Sequence, residues 1–223
     1  MQVQGWQALH ADHAARARRG GLDLVFLGDS ITAAWEEDGR EVWAERYAHR
    51  RAAAFGIPGD TTDNLLWRVQ EGHELAGLAP KVVVVLIGTN DLTQTRRTPA
   101  RIAEGVRAVL AAVRAAVPDS RVLLLGVFPR DARPNSAFRA SIRAINAALA
   151  PADDGVRVRF LDLEAAFLAP DGSIPRDVMG DGLHLTAKGY RLWAERIDPL
   201  LAEMLAGGER RGQVLDVESF PPR

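Results

Sequence analysis

The chain has 223 residues, 47% hydrophobic and 26% charged, a composition that fits one globular domain with a substantial core. Twenty-eight basic residues against 29 acidic ones leave a formal net charge of -1, which points to no nucleic-acid partner and to no anionic membrane surface. Cysteine is absent, which excludes disulfides, thiolate metal sites and a cysteine nucleophile, so covalent catalysis would fall to Ser, Thr, Asp, Lys or His.

The N-terminus lacks the apolar core of about 7–15 residues that marks an export signal, and no run of about 18 apolar residues occurs, so a cytoplasmic protein without membrane insertion is expected. Trp6, Leu9, His13 and Ala17 recur at three or four residues and predict a leading helix from Trp6 to Arg19, closed by Gly20-Gly21, with Arg16, Arg18 and Arg19 as its solvated end. Leu22 to Leu27 predicts the first strand, and Gly28 after it permits a tight turn to Asp29-Ser30. Helical turns with a core of Trp35, Val42, Trp43 and Tyr47 are expected across Ile31 to Tyr47, followed by a weak second strand at Arg51 to Phe55. Gly56-Ile57-Pro58-Gly59 forces an irregular turn before a helix that ends near Gln70, and His73 is expected on an exposed loop.

Lys81 to Ile87, KVVVVLI, is β-branched and continuous, as a strand buried on both faces of a parallel sheet must be. Thr98-Pro99 opens a helix that Pro118 ends, and Arg121 to Val127 predicts a fourth strand. Asn135 to Leu149 alternates Phe138, Ile142, Ile145 and Leu149 with Arg139 and Arg143, which predicts an amphipathic helix whose arginines face solvent. Val156 to Leu161 gives the fifth strand, and the irregular Asp162 to Asp181 leads to Asp181-Gly182-Leu183-His184. Thr186 caps a last helix, which Pro199 is expected to kink or split. One domain over residues 1–206 is expected, with 207–223 a loose tail.

Strands alternating with helices imply an α/β fold: a three-layer α/β/α sandwich around a five-stranded parallel sheet in the flavodoxin-like order 2-1-3-4-5. That order brings the ends of strands 1, 2 and 3 together, and with them Ser30, Gly59 and Asn90. Each motif has a plainer reading: Gly-Asp-Ser as a turn with a helix cap, the Gly59 segment as an ordinary connection, Asp-x-x-His as a surface or metal pair. Their convergence points to acyl transfer, which needs a nucleophilic hydroxyl, a base, a group that orients the base, and donors for a negative oxygen. Ser30, His184 and Asp181 supply the first three, and Ser30 N–H, Gly59 N–H and the Asn90 amide the last. A non-catalytic binding module built on the same pocket is the alternative from another class.

GDS at 28–30, FGIPGD at 55–60, GTND at 88–91 and DGLHLT at 181–186 resemble, in order, the four blocks of the SGNH or GDSL-type hydrolases. Across nearly the whole chain, LVFLGDSIT, NLLWRVQ, KVVVVLIGTNDL, VLLLGVFPR and DGLHLTAKGYRLWAE are similar to the intracellular platelet-activating-factor acetylhydrolase branch and its bacterial relatives. The resemblance implies a serine esterase that needs no metal or cofactor: Ser30 as nucleophile, Asp181 and His184 as its partners, and Gly59 and Asn90 as oxyanion donors. It implies a short, acetyl-like acyl group crowded by Ile31, Thr89 and Leu183, a small-molecule ester as substrate, and a possible homodimer. Carbohydrate deacetylation, thioesterase and lysophospholipase chemistry could run on the same machinery. Pro58 stands where close relatives often carry glycine, but the N–H it removes is not that of Gly59.

Overall fold

The computed structural model describes residues 3–207, with side chains from Gly5 onward. In chain order the elements are α1 (Val3–Arg18), β1 (Leu24–Gly28), α2 (Ser30–Ala33), α3 (Arg40–Arg46), β2 (Ala52–Gly56), α4 (Thr62–Gln70) and β3 (Val82–Leu86). They continue with α5 (Asp91–Gln94), α6 (Pro99–Ala116), β4 (Arg121–Leu125), α7 (Ala137–Leu149), β5 (Val158–Leu161), α8 (Glu164–Phe167) and α9 (Ala187–Ala206). The strands form one parallel five-stranded sheet in the order β2-β1-β3-β4-β5, the order expected from the alternation of apolar runs and helical periods.

All residues of β1, β2 and β3 are buried, because both sheet faces are covered. Val25, Leu27, Val83 and Val85 point to a core closed by residues of α1, α4, α6 and α7, among them Ala17, Leu65, Ile102 and Ile145. Leu24, Phe26, Val82 and Val84 point to the other core, where Trp35, Tyr47 and Trp193 surround Phe26 and Tyr190 packs on Trp35 and Trp193. Trp43, half-buried, closes the edge of that aromatic group against Phe26.

Register positions the site. Gly28 lies opposite Gly56 on β2 and Leu86 on β3, so three strands end level with one another. Gly28 is required for close approach rather than for an unusual turn: a Cβ there would strike the Thr32 hydroxyl and the Leu86 carbonyl. Gly56 faces the same restriction, since its Cβ would collide with the Ala33 amide and the Asp29 carbonyl. The two glycines let α2 start against the strand ends.

Three expectations need correction. Arg139 is buried, 1% exposed, rather than solvent-facing; its Nη2 donates to the Gly172 carbonyl at 2.8 Å and its Nη1 stands 3.6 Å from Glu164. β5 starts at Val158, because the Asp154 carboxylate accepts the N–H groups of Val156 (2.9 Å), Arg157 (2.6 Å) and Val158 (2.8 Å) and turns the chain first. Pro199 does not split α9: it lies on the exposed side of a helix that runs on to Ala206, while Trp193, Ile197 and Leu201 stay packed. His73 is exposed, as expected. Apart from Gly207, the expected tail lies outside the described residues.

Candidate active site

The site lies at the carboxyl ends of β1, β2 and β3, where an open parallel sheet leaves room for a ligand. Ser30 is the first residue of α2, whose cap is Asp29: the Asp29 carboxylate accepts the Ile31 N–H at 3.0 Å. At that position the Ser30 N–H has no partner inside the helix, so it is free to face a ligand. Ser30 Oγ is 3.0 Å from His184 Nε2, across 154 residues of sequence. Here the fold has brought together what the sequence separates.

His184 is oriented by a carboxylate that also shapes its loop. Asp181 Oδ2 lies 2.7 Å from His184 Nδ1, and Oδ1 accepts the N–H groups of Leu183 at 2.9 Å and His184 at 2.7 Å. Burial pushes the Asp181 carboxyl upward, but the imidazole and the two backbone donors outweigh it and hold the group below the usual carboxylate range. With Nδ1 engaged by a carboxylate, Nε2 is the nitrogen left to accept a proton from Ser30.

Gly59 occupies a tight turn in which Asp60 N–H donates to the Ile57 carbonyl at 3.2 Å and Gly59 has φ +87°. Proline second and glycine third, with positive φ at the glycine, are the requirements of a type II turn, whose third N–H makes no bond within the turn. Pro58 therefore fixes the turn without removing the Gly59 donor. Gln94 Nε2 holds the Gly59 carbonyl at 3.2 Å. Asn90, 8% exposed, donates through Nδ2 to the Asp60 carbonyl at 2.9 Å, which leaves the amide its second hydrogen. Asp91 accepts the Thr62 N–H at 2.9 Å and hydroxyl at 2.7 Å, so adjacent residues after β3 grip the loop before α4 and the first residue of that helix.

Of the acyl-pocket candidates, Ile31 (2% exposed) and Thr89 (3%) are buried and Leu183 is half-buried. Ile31 is anchored through its carbonyl, which accepts the Tyr190 hydroxyl at 2.6 Å. Arg130, which the sequence reading passes over, donates through Nη1 to the Thr89 carbonyl (3.0 Å) and hydroxyl (3.3 Å), and its guanidinium lies 4.7 Å from the Phe138 ring centre. Its only sequence signal is the Phe-Pro-Arg that follows β4. Burial also pushes the Asp29 carboxyl up to about 7, an effect the Ile31 N–H only partly offsets. Among the described residues, no group of three or more His, Asp or Glu is placed to hold a metal ion, and no helix is long and apolar enough to cross a membrane.

Residues 26–192 match the model of the GDSL-like Lipase/Acylhydrolase family. The platelet-activating factor acetylhydrolase IB subunit alpha1 of Rattus norvegicus is 35% identical over 214 residues, covering 94% of this chain and 89% of the rat protein. Among solved structures, a GDSL-like lipase from Bacteroides thetaiotaomicron shares the fold with TM-score 0.69 at 19% identity, covering 89% of this chain and 97% of its own. A catalytic mutant of Axe2, an acetylxylan esterase from Geobacillus stearothermophilus, does so with TM-score 0.62 at 16% identity, covering 83% and 94%. The family match over most of the chain, and a relative of this identity along nearly its full length, establish that the chain belongs to the GDSL-like lipase/acylhydrolase family and is a carboxylic ester hydrolase.

Proposed function

We propose that the protein hydrolyses short-chain acyl esters, acetyl esters by preference, through an acyl-enzyme formed on Ser30. The observation that carries this reading is the contact sequence Ser30 Oγ to His184 Nε2 (3.0 Å) and His184 Nδ1 to Asp181 (2.7 Å).

As Ser30 Oγ bonds to the ester carbonyl carbon, its proton passes to His184 Nε2, and Asp181 stabilises the imidazolium while holding the ring in place. The carbonyl oxygen becomes an anion facing the Ser30 N–H, the Gly59 N–H and the second hydrogen of Asn90 Nδ2, donors fixed before the reaction begins. When the tetrahedral intermediate collapses, the carbon–oxygen bond to the alcohol breaks and His184 gives that oxygen its proton. Water then attacks the acyl-Ser30 carbonyl, losing a proton to His184, and collapse releases the carboxylic acid and restores the serine hydroxyl.

The short acyl length is carried over from the resemblance, in which the positions matched by Ile31, Thr89 and Leu183 crowd the acyl group; the first two are buried and the third is half-buried. The name of the rat relative, an acetylhydrolase, agrees with that size. A panel of p-nitrophenyl esters tests the reading: kcat/KM should be highest for acetate and fall steadily toward octanoate. Faster turnover of octanoate than of acetate would overturn the acetyl preference.

A further inference from the structure

Beneath the Gly59 turn lies a cluster of charged side chains that the reaction steps do not use. Arg68 belongs to the face of α4 that buries Leu65 and Val69, and it is wholly inaccessible to solvent. Its Nη1 donates to the Gly28 carbonyl at 3.2 Å and to Asp60 Oδ2 at 2.6 Å, and its Nη2 to the Phe55 carbonyl at 2.7 Å. Nε donates to Glu74 Oε2 at 2.8 Å, and Nη2 also engages Glu74 Oε1. The guanidinium thus touches the last residue of β1, the end of β2 and the loop before α4.

Asp60 is gripped from the opposite side as well. Trp6 Nε1, on α1, donates to Asp60 Oδ1 at 2.6 Å, while Arg68 occupies Oδ2. Asp60 directly follows Gly59, and its backbone carbonyl is the acceptor for Asn90 Nδ2 at 2.9 Å. One residue therefore closes the turn that carries Gly59, through its N–H to the Ile57 carbonyl, and holds the Asn90 amide. Its carboxylate is fixed by a guanidinium anchored in the core and by an indole from a helix more than fifty residues earlier.

We propose that Arg68 and Trp6 are positioning residues for ester hydrolysis: through the Asp60 carboxylate they hold the Gly59 and Asn90 donors at the distance the developing oxyanion requires. The inference rests on the oxyanion reading above. Misplacement of catalytic donors by about 1 Å costs on the order of 100-fold in rate, so a clamp of this kind acts on kcat. A buried ion pair that served only to fill the core would act on stability alone.

Trp6→Phe isolates the effect, because it removes the indole N–H and keeps a ring against His10 and Trp67. In the full-length enzyme with p-nitrophenyl acetate, kcat should fall about 10-fold, with KM changed by less than about twofold and the thermal midpoint nearly unmoved. In an Asn90→Ala background, where one donor is already gone, the same change should cost no more than about threefold. Arg68→Lys keeps the charge but cannot reach Gly28, Phe55 and Asp60 together, and should lower kcat at least as far. Full activity of Trp6→Phe and Arg68→Lys, or an equal loss with and without Asn90, overturns the clamp while Ser30→Ala remains inactive. Retained activity in Ser30→Ala would instead sink the underlying reading, and the clamp with it.

Discussion

Asp29→Asn measures what the buried carboxylate beside the nucleophile costs the fold. Asp29 is 1% exposed and uses one oxygen to cap α2 at the Ile31 N–H. Burial, with the charges of Asp60 and Asp91 adding to it, pushes its carboxyl from 3.8 up to about 7. The folded protein therefore keeps a proton that the unfolded chain releases near pH 3.8, so this group's contribution to stability declines as pH rises and is lost once pH passes about 7. The difference corresponds to at most about 4 kcal/mol. Asparagine offers the same acceptor to Ile31 and never ionises. Its advantage should thus grow from about 2 kcal/mol near pH 5 to about 4 kcal/mol near pH 8. Urea unfolding of both proteins at the two pH values, at matched ionic strength, reads this, because titrating groups that do not interact with Asp29 cancel in the comparison. A difference that stays constant with pH, or shrinks toward pH 8, refutes the reasoning.

Ser30→Ala and His184→Ala should each lower kcat by about 10⁴-fold or more with the fold intact, and a fluorophosphonate probe should label the parent protein but not Ser30→Ala. Undiminished turnover in Ser30→Ala would contradict the assignment. Gly56→Ala places a methyl group against the Ala33 amide and the Asp29 carbonyl, so unfolding should come about 2–3 kcal/mol sooner in urea; an unchanged midpoint would show that α2 can move away from β2 freely.

The sheet was legible because its signal is strong: Val82 to Leu86 is an uninterrupted apolar run, and the order 2-1-3-4-5 makes the first three strands neighbours. Ser30, Asn90 and His184 could be named because each follows such a run or a cluster of turn residues. Boundaries were less legible where one side chain decided them, as Asp154 does at the start of β5. Arg139 looked solvent-facing because charge is ordinarily the exposed side of an amphipathic pattern. In α7 the buried sector instead includes Arg139 and Asn146, whose polar atoms reach Gly172, Val127 and Asp162. Those partners sit on loops, and no helical period announces them.

Arg68 shows the same limitation where it matters most. Its neighbours Leu65 and Val69 mark it as lying on an inward face, but the sequence does not say what inward charge it meets. Asp60, Glu74, His10 and Trp6 come from three separate stretches, and only folding makes them one network. An isolated guanidinium in that place would be prohibitively costly, since burying a charge is tolerable only with partners that replace its water. Arg68 has such partners, two carboxylates and two strand-end carbonyls, and of these Asp60 and the Gly28 and Phe55 carbonyls lie at the strand ends and the turn that border the candidate site. The desolvation cost of the charge is thereby offset by contacts that can form in only one arrangement of β1, β2 and the Gly59 turn. Apolar packing also resists small shifts, but it is non-directional, whereas these hydrogen bonds fix the orientation of the backbone groups they hold as well as their separation.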